Sequence, residues 1–228
     1  MEVNALQKVL ARYQDGGSVH SKTDIPSSFI NALKRVFENE NNFRPAAFHA
    51  FSLDVIIDYI RRTHKLYLHK KLLEIEQSIF LLLQDYNDRH PLLLILHNFY
   101  NKYKQDLTHH IEEEEVMLLP YIDFLQNASL NGFDQHTFFT KTQCYSLSSF
   151  LEDHDDPDED LQRVRLSILQ YHPPATNQTP YRILLSQLGD FEKDLAIHAL
   201  IEEQVLIPRA LQLEKSLSSK FQERIRLS

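Results

Sequence analysis

Two fifteen-residue segments of the chain are versions of one another, and they restrict its architecture more than any other feature. Asp106–Pro120 reads DLTHHIEEEEVMLLP and Asp194–Pro208 reads DLAIHALIEEQVLIP, with seven of fifteen positions identical. Each copy carries His-x-x-x-Glu, as His110/Glu114 and His198/Glu202, and a proline six residues after the glutamate. A spacing of four is one helical turn, so each pair shares a helix face. Upstream of each copy stands a further histidine at similar distance, His64 at 46 residues before His110 and His154 at 44 before His198. The chain therefore reads as two helical hairpins, each offering one His and then one His-x-x-x-Glu.

Hydrophobic periodicity is helical nearly throughout. It predicts a short amphipathic helix over 3–14 stopped by Gly16-Gly17, a second over 27–38, and four longer ones over about 52–86, 91–118, 147–170 and 180–206. Pro91, Pro120, Pro173, Pro174, Pro180 and Pro208 fall at or just outside the ends of those patterns, where proline is tolerated. Only 4 of the 228 residues are glycine, which argues against Gly-rich phosphate loops and turn-rich sheets. The expected fold is all-α: an up-down-up-down four-helix bundle over 46–228, preceded by a helical extension over 1–45. Residues 121–145 read as a long connection, a lid or contact surface, containing Phe133, Phe138, Phe139 and Cys144, and residues 133–146 within and beyond it read as irregular.

Composition narrows the functional classes. With 43% hydrophobic and 25% charged residues the chain has the balance of a soluble globular protein. A formal net charge of -8 disfavours nucleic acid or an anionic membrane as partner. Cys144 stands alone, so no intramolecular disulfide forms, as in a reducing compartment. The first residues lack the basic and apolar regions of a signal peptide, and no apolar run reaches membrane-spanning length; the expected location is the cytoplasm.

The chemistry follows from where His and Glu fall. The core stripe of the second long helix runs Leu96, Tyr100, Tyr103, Leu107, His110, Glu114, Leu118; that of the fourth runs Leu184, Leu188, Phe191, Leu195, His198, Glu202, Val205. His64 stands among Ile57, Ile60 and Leu68, and His154 among Leu147, Leu151 and Leu161. Burying two carboxylates unpaired would cost several kcal/mol each, and no cation lies on the inward stripes; a bound metal would neutralise them. Four imidazoles and two carboxylates exceed one tetrahedral zinc. They suit two first-row ions, with the histidines capping and Glu114 and Glu202 bridging or chelating, a mixed set that favours iron or manganese with open positions for small ligands. Asp158, one turn beyond His154, is a further ligand or hydrogen-bond acceptor candidate, and Tyr67 and Tyr103 are candidate hydrogen-bonders or core residues. The other eight histidines show no spacing of interest, and a zinc-holding hydrolytic or structural bundle stays open.

Over about 50–210 the chain resembles the hemerythrin-like (HHE cation-binding) proteins, specifically their RIC-type di-iron branch of iron–sulfur cluster repair proteins. The resemblance rests on Tyr-Ile-Arg-Arg-Thr-His64, on His110-Ile-Glu-Glu-Glu114 with Pro120, on Leu-Glu-Asp-His154-Asp, and on His198-Ala-Leu-Ile-Glu202 with Pro208. It implies a non-haem centre of two iron ions, ahead of manganese or zinc, with His64, His110, His154 and His198 as terminal ligands and Glu114 and Glu202 as bridging carboxylates. It further implies O2 or NO as small ligand, a part in nitrosative and oxidative stress, and damaged iron–sulfur proteins as partners. Proteins of this branch often carry a Cys-Cys motif near the N-terminus; the corresponding stretch here, Tyr13–His20, has the glycines and no cysteine. A metal-dependent O2 or NO sensing module, signalling to a partner without catalysis, is the alternative. Oligomeric state is open, with a dimer compatible.

Overall fold

The computed structural model describes residues 25–86, 91–153, 158–169 and 178–227. Every regular element among them is helical, and no strand occurs. In chain order the α-helices are α1 (Ser27–Glu38), α2 (Pro45–His49), α3 (Leu53–Leu66), α4 (Leu72–Tyr86), α5 (Pro91–Glu113), α6 (Leu119–Asn131), α7 (Gln135–Cys144), α8 (Leu147–Asp153), α9 (Asp158–Leu169), α10 (Thr179–Ile201) and α11 (Ile207–Leu227). The fold is all-α, as the periodicity requires. The expected helix over 3–14 lies outside the described residues.

These elements form two compact units. The first runs through Arg61 and takes in Glu112–Asp155 and Ala199–Ser228. Its helix α1 buries Phe29, Leu33, Val36 and Phe37, a stripe at steps of three and four. Phe29 meets Phe48, Phe51 and Tyr59 edge-on, with ring centroids 5.7, 5.0 and 5.7 Å apart. Full burial of one such ring is worth roughly 1.5–3 kcal/mol, so residues 27–38 are held by packing. The carbonyl of Phe51 accepts from Arg209 Nη1 at 2.7 Å, which ties the start of α3 to α11.

The second unit comprises Arg62–Ile111 and Asp156–His198. Four helical stretches surround its core: Tyr67, Leu72, Ile75, Ile79 and Leu82 from one; Leu93, Leu96, Tyr100, Tyr103, Leu107 and Ile111 from the next; then Leu161, Val164 and Ile168; then Leu184, Leu188, Phe191 and Leu195. The four-helix arrangement read from the sequence is realised here. Lys104–Glu76 at 2.8 Å and Arg165–Glu192 at 2.5 Å bridge neighbouring helices at the rim.

Two expectations about helix ends need correction. Helical backbone does not stop before Pro120 or Pro208; it continues to Asn131 and Leu227. The reason is a wide π turn placed just ahead of each proline. At Glu114–Leu118 the Leu119 N–H reaches back five residues to the Glu114 carbonyl, and at Glu202–Leu206 the Ile207 N–H reaches the Glu202 carbonyl. Pro120 and Pro208 cannot donate to the carbonyls of Val116 and Gln204, so the α-ladder must open there. The π turn opens it one step early, and each proline then sits in the first turn of the following helix, where no donor is required. A third π turn, at Tyr67–Lys71, has no proline after it and no comparable sequence cause.

The connection is likewise corrected: 121–131 lie in α6, and most of 133–146, expected to be irregular, forms α7. Gly132, at φ 78, makes the turn between them, and Asp134 caps α7 by accepting from the Thr137 N–H. Phe138 is buried against Phe133, Phe124 and Phe221, which supplies the packing that irregular backbone would lack.

Candidate metal centre

Each candidate ligand is placed by its helix stripe. On α3 the buried positions Ile56, Ile57 and Ile60 continue to His64, which is 1% exposed. On α10 the stripe Leu184, Leu188, Phe191, Leu195 continues to His198 at 7%, and beyond it Glu202 at 3% and Val205. On α5 the buried run Tyr100, Tyr103, Leu107 passes to Ile111 and then to Glu114 at 1%. His110 thus falls beside the stripe rather than on it, and is half-buried. The step 107–111–114 replaces the step 107–110–114 read from the sequence; isoleucine takes the inward position because it is the better core residue.

One ligand atom from each of His64, Glu114 and His198 lies within 4.8 Å of the others. All three side chains are buried. The imidazoles of His64 and His198 stand with centroids 5.0 Å apart, tilted by 53°. The structure therefore brings three of the six candidates together. His110 and Glu202 are not in that group, and His154 and the side chain of Asp158 lie outside the described residues. Two imidazoles and one carboxylate, all buried, are a donor set that a first-row ion accepts. The donors present fit a metal.

Around the two histidines, the second unit adds a small polar arrangement. Tyr67 packs edge-on against His198, with centroids 5.7 Å apart, and against Phe191 at 5.1 Å. Its hydroxyl donates to Asp194 Oδ1 at 3.4 Å. Asp194 is 4% exposed and stands one turn before His198 on the same helix face. Its repeat counterpart Asp106 is exposed, so the two copies differ at their first residue. Sequence reasoning passed over Asp194; its spacing of four from His198 was the available signal. Tyr103, by contrast, has its ring 6.5 Å from Phe191 within the core.

The π turns also set the place of the two repeat glutamates. Both begin at the glutamate of the repeated His-x-x-x-Glu, so Glu114 and Glu202 occupy the first position of a widened turn. Such turns re-aim side chains relative to a regular α-helix and recur at functional positions. Among the described residues no helix is long and apolar enough to cross a membrane.

No family model matches the chain. The chain is similar to the iron-sulfur cluster repair protein YtfE of Musicola paradisiaca, at 29% identity over 109 residues, which is 48% of this chain and 43% of that protein. YtfE of Dickeya chrysanthemi is 28% identical over 109 residues, with the same coverage. The iron-sulfur cluster repair protein ScdA of Staphylococcus haemolyticus is 20% identical over 151 residues, 66% of this chain and 64% of that protein. The chain thus spans less than half the length of the YtfE relatives it matches. The resemblance carried by the repeated His-x-x-x-Glu-x5-Pro is accordingly borne out: the curated relatives of this chain bear the name of the iron–sulfur cluster repair proteins.

Proposed function

We propose that the chain is a hemerythrin-like di-iron protein that binds O2 or NO and acts in the repair of iron–sulfur clusters damaged by nitrosative or oxidative stress. The observation that carries this reading is the buried trio His64, Glu114 and His198, with ligand atoms within 4.8 Å, on a chain whose curated relatives are named for cluster repair. In it His64, His110, His154 and His198 are terminal ligands, and Glu114 and Glu202 are shared carboxylates. Two irons, when bound, supply reversible redox change and an open position for a diatomic ligand. The protein offers the imidazoles in a dry core, balances the metal charge with two carboxylates, and excludes bulk water behind Tyr67, Phe191 and Leu195. The bond from Tyr67 to Asp194 fixes the ring that packs on His198, which limits rotation of that imidazole. Its partners in this role are damaged iron–sulfur proteins, and its location is the cytoplasm.

The deciding experiment is elemental analysis with the visible spectrum of anaerobically purified protein, followed by incubation with a cluster enzyme inactivated by NO. About two irons per chain and recovery of the enzyme are expected. A zinc-only sample that cannot take up iron overturns the metal assignment. Reversible ligand spectra without reactivation favour the sensing module instead, a reading supported by the absence of cysteine from Tyr13–His20.

A further inference from the structure

The second unit carries His64, His110 and His198, and it surrounds them differently. His64 and His198 are buried, with ring centroids 5.0 Å apart. Together with Glu114 they form the group whose ligand atoms lie within 4.8 Å of one another. His110 is half-buried beside the inward stripe of α5 and is not in that group. The two repeat copies share His-x-x-x-Glu, yet one sets its imidazole inside the core and the other at its margin. A buried support stands around His198. Tyr67 packs edge-on against its ring at 5.7 Å and against Phe191 at 5.1 Å, and the Tyr67 hydroxyl donates to Asp194, which is 4% exposed. Asp106, the counterpart of Asp194 in the other copy, is exposed. The backbone is shaped to the same end. Tyr67 opens the third π turn, as Glu114 and Glu202 open the other two, and here no proline demands it. Wide turns of this kind re-aim a side chain and recur at functional positions.

We propose that the two ends of the centre take up metal unequally: the end built on His64 and His198, with Tyr67 and Asp194 as its positioning residues, fills first, and the end that contains His110 fills second and exchanges sooner. This rests on the di-iron reading above. Donors already placed in a dry core lose little freedom when an ion arrives, whereas a half-buried imidazole is ordered and stripped of water only at that moment. Ring contacts with Phe191 and His198 hold Tyr67 in place, so its hydroxyl can be removed with the ring left where it is. Loss of that oxygen therefore acts on the His198 end alone.

Ferrous ion titrated anaerobically into apo full-length protein, with free iron read by a competing chelator, separates the two steps. Wild type should bind two equivalents with dissociation constants at least about 10-fold apart, the scale on which supporting partners of metal ligands act. His110→Gln should keep the tight equivalent and lose the weak one, and His198→Gln the reverse. Tyr67→Phe should weaken the tight step about 10- to 100-fold and leave the weak step alone. Asp194→Asn should do the same, and Tyr67→Phe carries the test where that buried substitution fails to fold. Tyr103→Phe, whose ring stands 6.5 Å from Phe191, is the control and should leave both steps unchanged. Two indistinguishable steps, loss of the tight equivalent in His110→Gln, or equal weakening of both steps in Tyr67→Phe overturns the assignment. A single equivalent in total, kept in His110→Gln and lost in His198→Gln, ends the di-iron reading and upholds the His64–His198 end as the favoured iron site.

Discussion

Glu114 and Glu202 are acidic side chains 1% and 3% exposed, and each opens a π turn. A carboxylate so placed is tolerated when something positive shares its site, since desolvation alone costs several kcal/mol. If iron is that partner, Glu114→Gln keeps the shape and removes the charge. Iron content should then fall to about one equivalent or less while far-UV circular dichroism is unchanged. An alanine variant at either position that retains two full equivalents would speak against the ligand assignment. Tyr100 is the contrasting case of a buried polar group with a structural role. Its hydroxyl donates to the Leu72 carbonyl at 2.5 Å across two helices of the second unit, and burial with the nearby charge of Glu76 pushes its ionisation far above the ordinary range. Tyr100→Phe should lower unfolding free energy by about 1 kcal/mol in denaturant titration and leave iron content unchanged.

At the scale of the helix, the sequence was most legible where period and capping agreed. The stripe on α10 from Leu184 to Val205 is buried at every expected position, because steps of three and four leave one face inward whatever the partner. It was least legible at Pro120 and Pro208. A proline reads as a helix end because it removes a donor, yet the structure satisfies that loss with a π turn, which no periodicity announces. Residues 133–146 read as irregular because Gly132 and the polar residues around Asp134 look like loop, while the buried contacts of Phe138 that make α7 helical are long-range. Two glycines test this local logic in opposite directions. Gly132 adopts φ 78, so Gly132→Ala should destabilise by about 1–2 kcal/mol although nothing crowds the new Cβ. Gly189 lies within α10 with open space around it, so Gly189→Ala should stabilise by about 0.5–1 kcal/mol. Thermal denaturation of the two variants side by side checks both signs.

For the molecule as a whole, the buried ligands connect metal occupancy to folding. The unfolded chain cannot hold His64, Glu114 and His198 within 4.8 Å of one another, so any ion that uses them binds the native state selectively. With free metal at 100 times the dissociation constant, that selectivity adds about 2.7 kcal/mol to unfolding. In a chain of 228 residues this corresponds to a rise in Tm on the order of 5–10 °C. The comparison that matters is iron-loaded against chelator-treated protein, for wild type and for His64→Ala. Wild type should show the full rise, whereas His64→Ala should show little, because the apo states of the two differ only by the core packing of one imidazole. A rise that survives His64→Ala would place the stabilising ion elsewhere. A rise produced by zinc and not by iron would turn the same buried donors into a structural site.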